Sequence, residues 1–422
     1  MNYKLVLSVF LLLLAACSDD GNNFPKVVPY PSVDEPVPPE PPTVGIEQYT
    51  VFNSGDENIN SFRIPSICTT KDGTLLAFGE ARRDSWTDRS YTNIVMKRST
   101  DNGKTWSKMQ YLTDVPAGYN PGAYINPCPV VDMETGKVFL FTVFWKTRTD
   151  NLGNGNEAYL LESNDNGLSW STPQNISAGI LTDKPYPGTS NNYQYVYGFG
   201  PGSGFQMKGG DYKGRLIVPC SQSYISGTAV KKSNVTVYSD DHGATWKAGE
   251  VSYWYAEYQI AESPLGTLVT NLRGSQKIGG VSVGVRGSSI SKDGGITWSD
   301  WNPKGSLTYY NGLSTPTGGC QGSIWANDAT IYYTGPAGIT ANNDHDDRGE
   351  LMLYKGTTAS TGITTWDNGQ MLYAKASGYS CLTKLKDGRM AVLFEAGPLN
   401  GFSKLTDRPA GWCRLDLIIL PN

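Results

Sequence analysis

The stretch Ser99-Thr100-Asp101-Asn102-Gly103-Lys104-Thr105-Trp106 returns three more times, as SNDNGLSW from Ser163, SDDHGATW from Ser239 and SKDGGITW from Ser291. A pattern kept in four places marks a repeated supersecondary unit. The steps between starts, 64, 76 and 52 residues, are too irregular for a solenoid of identical units. They suit propeller blades whose loops differ in length. Each copy is a turn by composition: the Asp side chain accepts from nearby backbone N–H groups, the Gly permits φ > 0, and the Trp packs into the adjoining strands. A calcium loop of the EF-hand kind would need further spaced oxygen ligands and a terminal Glu, and no copy supplies them.

Working outward, the chain of 422 residues has room for one large all-β domain or two smaller ones. Its 48 Gly and 25 Pro cut it into short segments, and 25 Tyr, 12 Phe and 11 Trp favour strands over helices. Lys71-Asp72-Gly73 leads into the apolar run Leu75-Leu76-Ala77-Phe78, and Lys386-Asp387-Gly388 leads into Met390-Ala391-Val392-Leu393-Phe394. Both ends of the body are thus built from similar pieces, as in a ring whose first and last blades meet. We expect six blades of four strands, with degenerate turns in the two that lack a clear box, one of them near Thr364-Thr365-Trp366.

The formal net charge of −4 offers no basic face for nucleic acid, and no apolar stretch beyond the N-terminus is long enough to span a bilayer. Only two histidines exist, His242 inside a box and His345 in an Asn/Asp-rich stretch. A Ser-His-Asp triad or a His-rich metal site would have to recruit one of them. The chemistry therefore falls to carboxylates, arginines and tyrosines, and no metal or organic cofactor is implied.

At the start, Lys4 and the apolar run Leu5 to Leu14 precede Leu14-Ala15-Ala16-Cys17. This resembles a bacterial lipobox, with residues 1–16 as signal peptide and cleavage leaving Cys17 to carry lipid. Residues 17–45, with eight prolines between Pro25 and Pro42, read as an extended tether, and 46–422 as the body. The expected product is an exported lipoprotein of the outer membrane, cell surface or periplasm, monomeric and held to a membrane by its N-terminal lipid. The six remaining cysteines are far apart and read mainly as small buried residues of inner strands rather than disulfides.

The four repeats resemble the Asp boxes of the sialidase superfamily. The resemblance implies a six-bladed propeller with Asp101, Asp165, Asp241 and Asp293 as structural residues on the face opposite the active site. Phe62-Arg63-Ile64-Pro65 looks like the Phe/Tyr-Arg-Ile-Pro motif of that family, whose arginine begins a triad gripping the carboxylate of sialic acid. Guanidinium groups suit the task as planar, bidentate, charge-assisted donors. Arg273, after Asn271-Leu272, and Arg348, before Gly349-Glu350-Leu351, match the other two members. Asp88 lies 25 residues after Arg63 on the loop that holds the family's acid/base aspartate, with Asp84 as its competitor. Arg82 resembles an additional substrate-contacting arginine, with Arg83 beside it leaving the choice open.

Tyr379 and Glu257 match the family's nucleophile and the carboxylate that takes its proton. A sialoside carries a carboxylate on its reacting carbon, so an anionic nucleophile is repelled where a neutral phenol is not. The 16-residue steps from Tyr379 to Glu395 and from Glu257 to Arg273 fit the family layout. Glu395 is expected to orient Arg63, and Glu262, the alternative to Glu257, to support the site as a second carboxylate. The glycine-rich run Gly200 to Met207 lacks a strand–turn–helix context for phosphate. It resembles an active-site segment in which Gln206 approaches the N-acyl or glycerol side chain of the sugar. Together these imply a retaining exo-α-sialidase acting on sialylated glycans. A trans-sialidase or intramolecular trans-sialidase on the same scaffold, or a glycan-binding surface propeller without activity, are the other readings.

Overall fold

The computed structural model describes residues 45–421 except 89, 120, 147–154, 186–189, 227–228, 253–256, 265, 279–280, 300–319, 328–329, 338–347, 359–363 and 398–413. All belong to the unit Glu40–Asn422. The signal segment 1–16, Cys17 and the tether as far as 44 lie outside the described residues, as do Cys413 and His345.

The chain folds as an all-β propeller of six blades, each a meander of antiparallel strands. Blade one runs Ser61–Thr69, Leu75–Arg82, Thr92–Ser99 and Gln110–Tyr111 from the axis outward. Blade two repeats this with Ala123–Val131, Val138–Trp145, Glu157–Ser163 and Gln174–Asn175. In blade three the inner position is shared by Tyr195–Phe199 and Phe205–Gln206, both paired with Leu216–Ser226, and Ala229–Ser239 and Lys247–Ala248 follow. Inner strands Tyr258–Glu262 and Ser323–Asn327 begin blades four and five. The long strand Gln370–Lys384 pairs first with blade five and then, from Ser377, becomes the inner strand of blade six.

Register fixes which residues share an end of the ring. In blade one Ser61 pairs with Arg82 and Arg82 with Thr92, whereas Thr69 pairs with Leu75 and Leu75 with Ser99. Arg63 therefore stands at one end and the first box, starting at Ser99, at the other. Strands two and three of the blades are sandwiched between neighbouring sheets and so read as near-continuous apolar runs. Along Leu75–Arg82, Leu75 and Ala77 pack into the core shared with blade six, while Leu76 and Phe78 pack into the core shared with blade two. That is the period of two expressed with both faces buried.

The boxes latch one blade to the previous one. Ser99 Oγ donates to Asp101 Oδ1 at 2.7 Å and accepts from Gly103 N at 2.8 Å, and Asp101 accepts from Thr105 N and Oγ1 at 2.9 and 2.6 Å. The boxes at Asp165, Asp241 and Asp293 repeat this pattern. At Asp241 the hydrogen bonds from Thr245, side chain first, outweigh the small cost of burial and lower the carboxyl to about 2. Gly103, at φ +87°, lies so close to Leu417 of blade six that no Cβ fits, and Gly243, at φ +80°, stands likewise against Phe139 of blade two. The box tryptophans close the same seams, Trp170 edge-on to Phe78 and Trp246 edge-on to Phe139 and Phe141.

Blade six lacks a box for a topological reason. Its outermost strand is Glu47–Phe52, which pairs with Arg414–Ile419, so no turn joins its third and fourth strands. In blade five Trp366 packs edge-on to Tyr333 of its own blade and also against the core shared with blade four, which includes Ala261. Cys68, Cys128, Cys220, Cys320 and Cys381 are buried free thiols, four of them on or beside inner strands.

Candidate active site

The residues at the end of the ring opposite the boxes begin with a strained turn in the first inner strand. Pro65 has no N–H for the ladder, and the pairing of Ser61–Thr69 with its neighbour breaks between Arg63 and Ser66. Ile64 sits there at φ 54°, a left-handed conformation costly for a β-branched residue. What holds it is Glu395, wholly buried in blade six. Its Oε1 accepts from Ile64 N at 3.0 Å and from Arg63 Nε at 2.9 Å, and its Oε2 from Arg63 Nη2 and Tyr379 N, each at 3.2 Å. Burial alone would raise this carboxyl, but the Arg63 charge and these hydrogen bonds hold it below the ordinary value.

Tyr379, only 6% exposed, follows in the inner strand of blade six. Its Oη lies 2.7 and 2.8 Å from the two carboxylate oxygens of Glu257 and 2.8 Å from Arg273 Nη1. Arg273 Nη1 also reaches Glu257 Oε2 at 2.6 Å. The last contact is a cross-strand one, because Tyr258 pairs with Leu272 and so sets Glu257 beside Arg273. The guanidinium carbons of Arg63 and Arg348 stand 5.7 and 5.6 Å from the centroid of the Tyr379 ring. Among the described residues, the buried Arg348 Nε meets no hydrogen-bond partner. Burial pushes the Tyr379 phenol well above its ordinary value despite Arg273, so it is a neutral donor to Glu257. Burial works against the Arg273 charge, but Glu257 and Tyr379 hold that group well above its ordinary value too.

Asp88 stands on the loop after the second strand of blade one, with its side chain 56% exposed. Arg82 Nη1 meets Asp88 Oδ1 at 2.8 Å and the Trp86 carbonyl at 2.7 Å. The rest of that guanidinium is spent on Glu80 Oε2, at 3.0 Å from Nε and 2.6 Å from Nη2. Arg83 points the other way, as strand alternation requires, stacking 4.0 Å over Tyr91 and pairing with Asp84 at 3.0 Å. Between the two adjacent arginines, then, Arg82 is the one buried beside Asp88. Glu80 went unremarked as a site residue in the sequence. A signal existed, for the two matching phrases both end in Glu-Ala, at Glu80-Ala81 and Glu395-Ala396.

Two sequence expectations need correction. Gln206 pairs with Leu216, and Leu216 with Ser239, the first residue of the third box. Its amide holds Asp132 Oδ1 at 2.9 Å, the Gly214 carbonyl at 3.0 Å and Met133 N at 2.8 Å. Glu262 likewise pairs with Leu268, opposite Ser291 of the fourth box, and accepts from Lys208 N and Gly209 N at 2.7 and 2.9 Å. Both therefore stabilise the box end of the ring, Glu262 about 17 Å along its strand from Glu257. The glycine spacing that suggested a sugar contact has another cause. A Cβ on Gly202 would collide with the Gln259 side chain, so the segment is glycine-rich to pack on blade four.

The family model described as a BNR repeat-like domain matches residues 73–392, most of the chain. The chain belongs to the BNR-repeat sialidase family. It is 30% identical over 387 residues to a sialidase of Micromonospora viridifaciens, covering 86% of this chain and 54% of that protein. With a sialidase of Paraclostridium sordellii it shares 29% identity over 382 residues, covering 86% of this chain and 88% of the other. The fold superimposes on a Trypanosoma rangeli sialidase in complex with 2,3-difluorosialic acid, described as a covalent intermediate, with a TM-score of 0.67 and 21% identity. That superposition covers 89% of this chain and 58% of the other. The family member described here thus spans little more than half the length of the first relative and nearly all of the second.

Proposed function

We propose that the chain is a retaining exo-α-sialidase that removes terminal sialic acids from glycoproteins, glycolipids and oligosaccharides. The observation that carries the reading is the 2.7 Å contact between Tyr379 Oη and Glu257 in a surround of Arg63, Arg273 and Arg348. The three arginines would bind the sugar carboxylate at C2. The phenol oxygen then attacks C2 as its proton passes to Glu257, while Asp88 protonates the departing glycosidic oxygen. In the second half Asp88, now ionised, takes a proton from water, which attacks C2. The tyrosine leaves and recovers its proton from Glu257. Because the phenol is kept neutral, its negative charge appears only as the bond forms, beside Arg273.

A sialoside fluorinated next to the anomeric carbon should slow both steps and accumulate the adduct. Intact-mass analysis with peptide mapping should place the sugar on the Tyr379 peptide, and Tyr379→Phe should abolish labelling. A label on a carboxylate, or inversion at C2, overturns the mechanism. Product analysis with 3′- and 6′-sialyllactose separates hydrolysis from transfer, since only a transferase makes new sialosides or an anhydro sugar.

For its location we propose that Cys17 carries the lipid that holds the body at the bacterial outer membrane or cell surface, as a monomer. The Leu14-Ala15-Ala16-Cys17 sequence and the Pro-rich segment after it support this. Cys17→Ser should release the protein from the membrane fraction, and unchanged fractionation would end the idea.

A further inference from the structure

At the box end of the axis lies a cavity of about 800 Å³ formed where the inner strands of all six blades finish. Its walls are apolar, with Phe205, Ile260, Ile324, Trp325 and Leu385 among them. Its charge is predominantly positive, with the Asp72 carboxylate acting on Lys386 from outside the lining. Lys71, Lys208, Lys384 and Lys386 line it against one carboxylate, Glu262. The Glu262 oxygens are already committed to the amides of residues 208 and 209. The cavity is also separate from the site around Tyr379. Between them a belt of buried polar groups crosses the axis: Gln259 Oε1 accepts from Ser323 Oγ at 2.7 Å, and Gln321 Nε2 donates to the Ser380 and Pro201 carbonyls at 3.0 and 3.2 Å.

We propose that this cavity is a second ligand site, for a small amphipathic organic anion: a carboxylate or sulfonate carried on an apolar body. The volume suits one such molecule. The apolar walls gain by covering its body, and the four lysines, which outnumber the lining carboxylate of Glu262, favour its charge over a neutral ligand of equal size. The position, on the axis and behind the polar belt, makes its occupant independent of whatever binds at the arginines.

The test is a fluorescence titration of the full chain with 8-anilinonaphthalene-1-sulfonate. Saturable binding of one probe per chain is expected, with N-phenyl-1-naphthylamine, its uncharged counterpart, bound at least about tenfold more weakly. Lys208→Glu combined with Lys386→Glu, both on exposed side chains, should weaken the sulfonate about tenfold and leave the neutral probe unaffected. Excess N-acetylneuraminic acid should not displace it. Equal affinity for the two probes, indifference to the double substitution, or displacement by the sugar acid would each overturn the proposal.

Discussion

Glu80 and Glu395 do the same work in adjacent blades. Each lies near the end of the second strand of its blade and accepts the N–H of a left-handed residue in the next inner strand, Asn126 at 2.8 Å and Ile64 at 3.0 Å. Each also carries an arginine of the candidate site, Arg82 and Arg63 respectively. One repeated carboxylate thus fixes backbone strain and guanidinium orientation together.

Replacing Glu395 by Gln keeps the shape but takes the carboxylate charge away from the buried Arg63 guanidinium. Removing one member of such a pair costs about 3 kcal/mol, read as a shift of the urea midpoint. The native carboxyl lies below its ordinary value, so its contribution is complete above about pH 4.5 and is lost as pH falls through the native value. Wild type should therefore lose stability in acid more steeply than Glu395→Gln, and parallel acid curves would show that Glu395 is not the group responsible.

Asp88→Asn removes the proton donor of the proposed mechanism without touching Tyr379. Turnover of a natural sialoside should fall by about 10²- to 10⁴-fold. An aryl sialoside whose leaving group needs no proton should lose far less in the first step. Equal losses on both substrates would take Asp88 out of the acid role.

Lys232 stands with Nζ 3.6 Å over the Tyr197 ring, where burial, opposed by the charge of Glu257, lowers it from 10.5 to about 8. Below that pH it adds a positive charge near the site, and as pH rises through about 8 the charge disappears. KM for an anionic substrate should therefore rise over that interval with kcat little changed, and Lys232→Met should flatten the step. The sign for stability is the reverse. The cost of burying the charge is present below pH 8 and relieved as pH climbs towards 10.5. A KM step of equal size in Lys232→Met would assign it to another group.

Ser239→Ala strips the third box of the hydroxyl that accepts from Gly243 N and donates to Asp241, both at 2.8 Å. Leaving that buried N–H unsatisfied costs about 1–3 kcal/mol, seen as a lower Tm. Because the box is at the far end of the strands, kcat/KM of the folded variant should stay within about twofold, and a larger fall would reveal coupling between the two ends.

The repeats made the ring legible in the sequence because a box turn is local: eight residues contain both its hydrogen-bonding groups and the tryptophan that packs on the neighbouring blade. The pairs Glu257–Arg273 and Arg63–Glu395 could be named from motifs, yet their contacts depend on register, which only the paired strands set. Gln206 and Glu262 show the limit of position along the chain. Each sits at the finishing end of an inner segment, and a few residues at about 3.3 Å apiece carry a side chain from one end of the ring to the other. Glu80 escaped notice because one of its partners, the Asn126 amide, is presented by a register shift in the inner strand of the next blade, and the repeated Glu-Ala was its mark in the sequence.

The outermost strand of blade six comes from Glu47–Phe52 and its inner three from residues beyond 376, so the first and last parts of the body to be synthesised are sheet partners. Arg63 and Glu395 bridge that same junction. A nascent chain can stack its middle blades while still on the ribosome, but this pairing, with its long loop-closure cost, waits for the C-terminal strand. The arginine pocket is consequently completed by the final folding event. On the proposed function, activity would report that the ring has closed, and a chain stopped short of residue 414 would not acquire it.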